Sequence, residues 1–325
     1  MAALPVAQRR VLLGPAALLL LSACAMRPAI DFDPPAQTVE LRETPFFPQT
    51  EHHCGPAALA TVLVAQGVQT TPGQLAQWVY VPGREGSLQT EMLSAARRFD
   101  RLPVKLGGSL QVLLQTVQAG HPVLVLQNLG LRRWPRWHYA VLIGYDPAQK
   151  EFLLRSGTTE RETLSVARFT SSWERADRWA VVLAPAVAVP VTVGTQGWLA
   201  AAAPFESLGR LEVAEQAYRA AVQRWPQSAL PWQALANARY AAGDNAGAEA
   251  ALLRAVSLDP QAVVARNNLA NLLLQRGCVA AAGAHMQALD EVPPRFETAV
   301  AQTRSKIDAA VASGQRAESA QCPRP

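Results

Sequence analysis

A cysteine and a histidine in this chain have the residue types and settings of a nucleophile and its base. Cys54 stands before Gly55-Pro56 at the start of a predicted helix, where free N–H groups and the partial positive charge of the helix terminus favour a thiolate. His138 lies at the start of an apolar strand and is the candidate base. Gln49 precedes the cysteine by five residues and can donate a side-chain N–H to a developing oxyanion. This set predicts nucleophilic catalysis.

Helix and strand signals are mixed in residues 39–185, and they place these side chains on particular elements. Capping residues, first-turn prolines and terminal glycines predict helices over 54–67, 70–79, 87–100 and 109–120. Short β-rich runs bounded by turn residues predict strands over 122–128, 138–145, 151–156 and 178–185. Because the helices precede the strands instead of alternating with them, the predicted fold class is α+β.

The residues around the candidate pair resemble a known family. Gln49, the run CGPAAL that begins at Cys54 and the run HYAVLIGYD that begins at His138 are similar to the papain-like bacteriocin-processing cysteine peptidases, the double-glycine leader peptidase family. The resemblance covers about 45–185. It implies a papain-like domain over 39–185, with helices that carry the cysteine packed on a small antiparallel sheet that carries the histidine. It also implies that Cys54 is the nucleophile, His138 the general base and acid, and Gln49 the oxyanion-hole residue.

The third catalytic position departs from that family, which has an aspartate, often in Asp-Pro, to orient the imidazole. Asp146-Pro147 is present, but a hairpin turn there places it roughly 25 Å from His138 at the strand rise per residue. If Tyr145 lies near residue 150 or 151, His138 lies opposite residue 157 or 158, with Ser156 close by. We therefore predict Ser156 as a weak orienter, with a backbone carbonyl as the alternative, and no carboxylate at this place.

The part of the chain after a predicted linker at 186–194 is helical and repeats every 34 residues. The repeated positions are three glycines, three alanines and three prolines: Gly209, Gly243 and Gly277; Ala214, Ala248 and Ala282; Pro226, Pro260 and Pro294. This period resembles tetratricopeptide repeats at 195–228, 229–262 and 263–296, followed by a capping helix and tail at 297–325. In this interpretation glycine turns the chain between two helices, alanine lets them approach, and proline ends the second helix. The resemblance implies a protein partner for the repeats.

The N-terminal residues are typical of an export signal. Two arginines precede an apolar run at 11–21, which is shorter than the roughly 20 residues that span a bilayer. The following Leu-Ser-Ala-Cys resembles the lipobox of bacterial lipoproteins. It implies a signal peptide at 1–23, a lipid on Cys24 and a tether at 24–38, and Ala25 favours the outer membrane. An ordinary signal peptide with a chance cysteine is the alternative. In an oxidising periplasm Cys278 and Cys322 could form a disulfide, which the sequence leaves open.

Composition excludes several classes of function. The chain has 325 residues, 50% of them hydrophobic and 17% charged, so it is not a disordered protein. Aromatic residues make up only 6%, which disfavours a stacking surface for nucleic acid. The histidines at 52, 53 and 121 lack the spacing of a zinc site, and we predict no metal and no cofactor. No Gly-rich phosphate loop is present, so we expect a form without a fused ATP-binding transport domain.

These observations leave three functions open. The first is a membrane-anchored cysteine peptidase that cleaves a peptide bond in an exported protein, with the repeats recruiting a partner or substrate. The second is a non-catalytic peptide-binding scaffold built on a degenerate peptidase domain. The third is acyl transfer or amide hydrolysis on a small or cell-wall substrate.

A basic and aromatic loop that contains Arg132, Arg133, Trp134 and Trp137 is either a packed rim or a grip for an acidic or glycosylated substrate. Asn267 and Asn268 are either groove residues of the repeats or solvated side chains.

Overall fold

The computed structural model describes residues 32–49, 53–314 and 322. Residues from Asp33 onward form one compact unit. The predicted signal peptide, the lipidation site at Cys24 and the first part of the tether lie outside the described residues, as does His52. Within the part of the chain that the structure describes, no helix has the length and apolar character needed to cross a bilayer.

A seven-stranded antiparallel sheet forms the centre of the N-terminal half. Its strand order is β4-β9-β5-β6-β7-β8, and the short β1 pairs with the far end of β6. A separate two-stranded hairpin, β2 and β3, lies outside this sheet. The strands are β1 (Val39–Glu40), β2 (Tyr80–Val81), β3 (Gly86–Ser87), β4 (Arg101–Lys105), β5 (Val123–Asn128), β6 (Trp137–Asp146), β7 (Glu151–Ser156), β8 (Thr159–Ser165) and β9 (Ala180–Pro185).

Five helices accompany the sheet: α1 (Cys54–Val64), α2 (Pro72–Val79), α3 (Gln89–Arg98), α4 (Leu110–Gln118) and α5 (Val166–Glu174). The side chains of α1, α2 and α3 pack on one face of β5, β6 and β9, where Leu59, Leu63, Val141 and Val181 are fully buried. Every residue of α1 from Gly55 to Leu63 is buried, because this helix lies between the sheet and its neighbouring helices. The core therefore holds the helix that begins at Cys54 against the strand that begins beside His138.

The observed elements confirm the α+β class. Each predicted helix and strand of this half overlaps an observed one, but the short strands β1 to β3, the strands β4 and β8, and the helix α5 were not predicted. Strand β8 reads TERETLS and leaves most of its side chains exposed, because it is an edge strand with little apolar alternation. Strand β4 contains Pro103, which an edge strand tolerates because the missing N–H is not needed for a second ladder.

The hairpin of β6 and β7 differs from the prediction in its register. Tyr145 pairs with Phe152, not with residue 150 or 151. A β-bulge between Leu142 and Gly144 then shifts the register by one residue, so that Val141 pairs with Arg155, as the predicted pairing of Tyr145 with residue 151 would require. Extending that register brings His138 opposite residue 158, which is one of the two predicted positions. The strand interior is therefore aligned as expected, although its turn is not.

The C-terminal half consists of paired helices. They are α6 (Thr195–Ala202), α7 (Pro204–Ser207), α8 (Leu211–Arg224), α9 (Ala229–Ala241), α10 (Asn245–Leu258), α11 (Val263–Gln275), α12 (Val279–Gln287) and α13 (Pro294–Ala312). Gly209, Gly243 and Gly277 turn the chain between successive helices with φ of 70°, 82° and 78°, a conformation that favours glycine. The three repeat alanines are completely buried. The structure thus has the predicted tetratricopeptide helix pairs after the α+β domain.

One of the repeated prolines does not have its predicted role. Pro226 and Pro260 follow the ends of α8 and α10, as predicted, but Pro294 is the first residue of α13. Helix α12 already ends at Gln287. Proline is common after the end of a helix because it cannot continue the helix. It is also tolerated at the first position of a helix, because the N–H of that residue takes part in no intrahelical bond. The predicted capping helix therefore begins at Pro294, three residues before position 297.

The repeats share a hydrophobic core with the sheet. Trp198 and Phe205 are fully buried in one cluster with Leu102 and Val104 of β4 and with Val182 of β9. The segment 186–194, predicted as a linker, contains no helix or strand, but Ala186 and Val193 are buried in this same cluster. The connection is therefore packed against both halves.

A disulfide joins Cys278 to Cys322 across a sequence separation of 44 residues. Cys278 precedes α12 and is almost completely buried, while Cys322 belongs to the C-terminal tail. The bond therefore attaches the tail to the hydrophobic cluster of the last repeat.

Candidate active site

Cys54 is the first residue of α1 and is half-buried. No side chain caps this helix, so the first N–H groups are left for other partners. Gly55 follows because nothing larger fits: a Cβ at this position would lie 2.2 Å from Ser87 Oγ. The side chain of Ser87 on β3 thus lies close against the helix start, and Ser87 lines the same cleft as Cys54.

His138 is the second residue of β6 and points toward the last residue of β7. Its Nε2 lies 2.8 Å from the Ser156 hydroxyl oxygen, within hydrogen-bond distance. Ser156 is 5% exposed, so this contact is shielded from water. The residue predicted as a weak orienter therefore lies at the predicted place, held there by the pairing of β6 with β7.

Gln49 is fixed by its backbone, whose N–H donates to the carbonyl oxygen of Gly157 at 3.1 Å. Gln49, Cys54 and His138 all line one cleft of about 890 Å³. The cleft lies between two walls: residues 84–88 of the β2–β3 hairpin and residues 135–137 before β6. The structure therefore brings the three predicted side chains together at a solvent-accessible opening, between the start of a helix and the start of a strand.

Burial opposes the charged forms of both candidate groups. It raises the pKa of the Cys54 thiol, an effect partly offset by backbone hydrogen bonds from Tyr139, Gly55 and Cys54 itself. Burial likewise lowers the pKa of His138. Neutral thiol and neutral imidazole are thus the favoured resting forms. Desolvation of Cys54 thus opposes the thiolate that the helix terminus favours.

Two charged residues that the sequence did not reveal act on His138. The carboxylate of Glu162 raises the pKa of the imidazole, and the guanidinium of Arg136 lowers it. Glu162 lies on β8, which was not predicted, so its proximity could not be anticipated. The prediction at this place concerned an orienting carboxylate, and Glu162 influences His138 only through its charge. The hydrogen bond to Nε2 belongs to Ser156.

Asp146 has a separate structural role. Its Oδ1 accepts hydrogen bonds from the backbone N–H groups of Ala148 and Gln149 at 3.0 and 3.3 Å. It thus stabilises the β6–β7 turn, at the opposite end of β6 from His138. This position agrees with the prediction that Asp146 does not orient His138.

The remaining histidines of the metal hypothesis lie apart from one another. His53 stacks on the ring of Tyr80 at a centroid distance of 4.8 Å. His121 follows the glycine at the end of α4, and burial lowers its pKa. Among the described residues, no three His, Cys, Asp or Glu side chains lie close enough to hold a metal ion.

Asn268, but not Asn267, lines a smaller cavity of about 300 Å³ between helices of the repeats. Asn268 donates to Asn237 Oδ1 at 3.0 Å, and Thr303 donates to Asn267 Oδ1 at 2.8 Å. Both are therefore paired, and Asn268 lines the cavity together with Tyr240 and Gln275.

The opposing fields on His138 give a testable pH dependence. The rate of Cys54 alkylation falls when the imidazole becomes protonated, so we expect the acid limb of wild type below pH 6.5, the ordinary pKa of histidine. Glu162→Gln removes a charge that favours imidazolium and moves the limb to lower pH. Arg136→Gln removes a charge that opposes it and moves the limb to higher pH.

The measurement is the alkylation rate constant between pH 4 and 9 for each variant. Glu160→Gln, on the same strand, is the matched control and should leave the limb unchanged. Shifts of Glu162→Gln and Arg136→Gln in the same direction would contradict the assignment of these fields.

An antiparallel sheet that carries a histidine, packed on a helix that begins with a cysteine and followed by helix pairs of 34 residues, defines a papain-like peptidase fold joined to a tetratricopeptide solenoid. Residues 41–181 match the sequence model of the Peptidase_C39 like family. The N-terminal half is thus similar in sequence to that family. Comparison with curated proteins gives no significant match.

Solved structures similar to parts of this chain fall into two groups. A protein described as a C39-like peptidase from Bacillus anthracis is 20% identical, with 46% of this chain and 98% of that one covered and a TM-score of 0.38. The peptidase domain of Streptococcus ComA, a bifunctional ABC transporter, is 20% identical, with 44% and 98% covered and a TM-score of 0.36. The Yersinia enterocolitica type III secretion chaperone SycD is 19% identical, with 37% and 93% covered and a TM-score of 0.35.

Proposed function

We propose that the protein is a cysteine peptidase that cleaves a peptide bond in an exported protein. The observation that carries the proposal is that Cys54, His138 and Gln49 line one open cleft. The match of residues 41–181 to the Peptidase_C39 like family supports the same class of reaction.

The first half of the reaction is acylation. Ser156 holds Nε2 of His138, so Nδ1 is the ring nitrogen that takes the proton from the Cys54 thiol. The thiolate attacks the carbonyl carbon of the scissile bond, a C–S bond forms, and the carbonyl oxygen becomes an oxyanion. The imidazolium then gives its proton to the leaving amine as the C–N bond breaks. The product is a thioester on Cys54 and a released amine.

The second half is hydrolysis of the thioester. His138, again neutral, takes a proton from water while the hydroxide oxygen adds to the thioester carbon. The C–S bond breaks and the thiolate accepts the proton from the imidazolium, which restores the neutral pair. The side-chain amide of Gln49 donates to the oxyanion in both halves, as does the N–H of Cys54 at the uncapped helix start.

Ser156 acts as a positioning residue for His138. We expect Ser156→Ala to lower kcat by about 10- to 100-fold with little change in KM, because the ring loses its hydrogen bond but not its place in the strand. This loss is smaller than the roughly 10⁴-fold effect of disabling a carboxylate orienter.

The check is steady-state kinetics on a cleaved peptide. Ser156→Thr, which keeps the hydroxyl, should restore most of the rate. Equal rates for Ser156→Ala and wild type would instead assign the orientation of His138 to the backbone.

The proposed location is the periplasmic side of a bacterial envelope, where a lipid on Cys24 holds the protein at the outer membrane. The sequence around Cys24 carries this part of the proposal. The disulfide between Cys278 and Cys322 supports an oxidising compartment. We further propose that the repeats recruit a protein partner or the substrate, since their asparagine-lined cavity offers paired amides to a peptide backbone.

Cleavage of a peptide library by the full chain tests the function. We expect new peptide termini at a recurrent sequence with wild type and none with Cys54→Ala, identified by mass spectrometry. Proteins retained by Cys54→Ala from an envelope extract, and then cleaved by wild type, would identify the substrate.

The alternative is a non-catalytic peptide-binding scaffold, and the neutral resting pair together with the missing carboxylate orienter favours it. Under this alternative Cys54→Ala and wild type bind the same proteins and neither produces new termini. Release of a small acyl group or amine without peptide cleavage would indicate the third function, acyl transfer or amide hydrolysis on a small substrate.

A further inference from the structure

Exposed apolar side chains are concentrated in the loop between β5 and β6. We call residues 129–137 the Trp134 loop. Among the described residues eleven large apolar side chains are exposed, and this loop contains four of them: Leu129 (46%), Leu131 (64%), Trp134 (67%) and Trp137 (55%). All seven residues from 131 to 137 are exposed. The hypothesis of a packed rim is therefore wrong, and the loop projects into solvent.

The loop is built to hold these side chains in place. The Asn128 side chain is 1% exposed, and its Oδ1 accepts from the N–H groups of Gly130 and Arg136, both at 2.9 Å. Leu131 and Trp134 exchange backbone hydrogen bonds across the tip at 3.1 and 3.2 Å. Gly130 is required, since a Cβ there would lie 2.4 Å from the carbonyl oxygen of Trp134. The exposed apolar tip is thus a formed structure.

The charged side chains of the Trp134 loop are all positive. The loop carries Arg132, Arg133 and Arg136, and the sequence from 101 to 145 contains no aspartate or glutamate. The guanidinium of Arg133 lies over the Trp134 ring, 5.4 Å from its centroid. Tryptophan and leucine beside arginine are the residues that favour the interface of an anionic bilayer, where apolar groups enter the acyl boundary and guanidinium groups contact phosphates.

We propose that the Trp134 loop docks on the surface of an anionic phospholipid bilayer. A convex tip fits a bilayer better than it fits a peptide, because residues 129–134 are absent from the lining of the cleft, to which only residues 135–137 contribute. Docking places the cleft beside the membrane, so that substrate segments close to the bilayer surface reach Cys54. The inference does not depend on catalysis, since lipid binding needs neither Cys54 nor His138.

Quenching of tryptophan fluorescence by brominated lipids tests the proposal with the full chain. Vesicles contain brominated phosphatidylcholine, with or without brominated phosphatidylglycerol. We expect stronger quenching of wild type when phosphatidylglycerol is present, and loss of most of that difference in the double variant Trp134→Phe with Trp137→Phe. Trp225→Phe, which changes a half-buried residue of the repeats, is the matched control and should keep it. All variants share the same N-terminal region, so differences between variants report the loop.

A second variant separates the contribution of the positive charges to lipid binding from that of the inserted tryptophans. Arg132→Gln combined with Arg133→Gln should weaken the phosphatidylglycerol-dependent quenching by about 30-fold in lipid concentration. Equal quenching of wild type in both vesicle types would overturn the proposal, as would unchanged quenching in the double tryptophan variant. A raised KM for a cleaved peptide in the arginine variant, with an unchanged lipid titration, would assign the loop to substrate binding and likewise overturn the proposal.

Discussion

His138→Ala should lower the rate at which an electrophilic peptide probe modifies Cys54 by about 10²- to 10⁴-fold at pH 7, the range in which a positioned general base contributes. The physical reason is the environment of the thiol. Burial raises the pKa of Cys54, so without a base the thiol stays protonated and its sulfur is a poor nucleophile. The measurement is the second-order rate constant of probe incorporation, followed by mass spectrometry of the Cys54 peptide.

The matched control is His121→Ala. His121 is also a half-buried histidine whose pKa is lowered by burial, but it does not line the cleft, so this variant should react as fast as wild type. Equal rates for His138→Ala and wild type would remove the base from the proposed mechanism and leave the scaffold function. Cys54→Ala defines the background, because Cys54 is the free cysteine among the described residues.

Trp198→Ala should destabilise the protein by about 3–5 kcal/mol, the usual cost of removing a large core side chain. Trp198 is fully buried, and its Nε1 donates to the carbonyl oxygen of Ala217 at 2.7 Å. Its cluster includes β4 and β9 of the sheet as well as the first repeat helices. The loss should therefore weaken both halves in one cooperative transition. Urea unfolding, followed by circular dichroism at 222 nm and by labelling of Cys54, measures both.

Trp134→Ala is the matched control, since this side chain is 67% exposed and should change stability by less than about 0.5 kcal/mol. In Trp198→Ala the two probes should report the same lowered midpoint. If the helical signal were lost at lower urea while the protection of Cys54 stayed at its wild-type midpoint, the two halves would not share a cooperative core.

The elements that were predicted correctly from the sequence are those whose formation depends on residues close together in the chain. A cysteine before Gly-Pro predicted a helix start, and an apolar run after His138 predicted a buried strand. The spacing of 34 residues predicted the helix pairs, because the glycine turns and buried alanines are local requirements of each pair. Pro294 shows the limit of that reasoning, since proline is compatible with either boundary of a helix.

The parts that could not be predicted depend on pairing between distant segments. Strand β8 has no apolar alternation of its own and forms by pairing with β7. The effect of the Glu162 charge on the pKa of His138 therefore could not be predicted from the sequence. The bulge between Leu142 and Gly144 arises in the pairing of β6 with β7, and glycine at position 144 is required by β1, whose Val39 carbonyl oxygen would lie 2.2 Å from a Cβ there. Desolvation of Cys54 similarly arises from the packing of helix against sheet and not from the neighbours of Cys54 in the sequence.

The short connection between β7 and β8 has a consequence for how the cleft can vary. Ser156 ends β7 and pairs with Thr159, while Gly157 between them accepts the N–H of Gln49. The imidazole contact and the backbone position of Gln49 are thus set by neighbouring residues of a single connection with φ of 59° at Gly157. An insertion of even one residue there would displace both groups at once, so homologues that keep this chemistry should keep the length of that connection while other loops diverge.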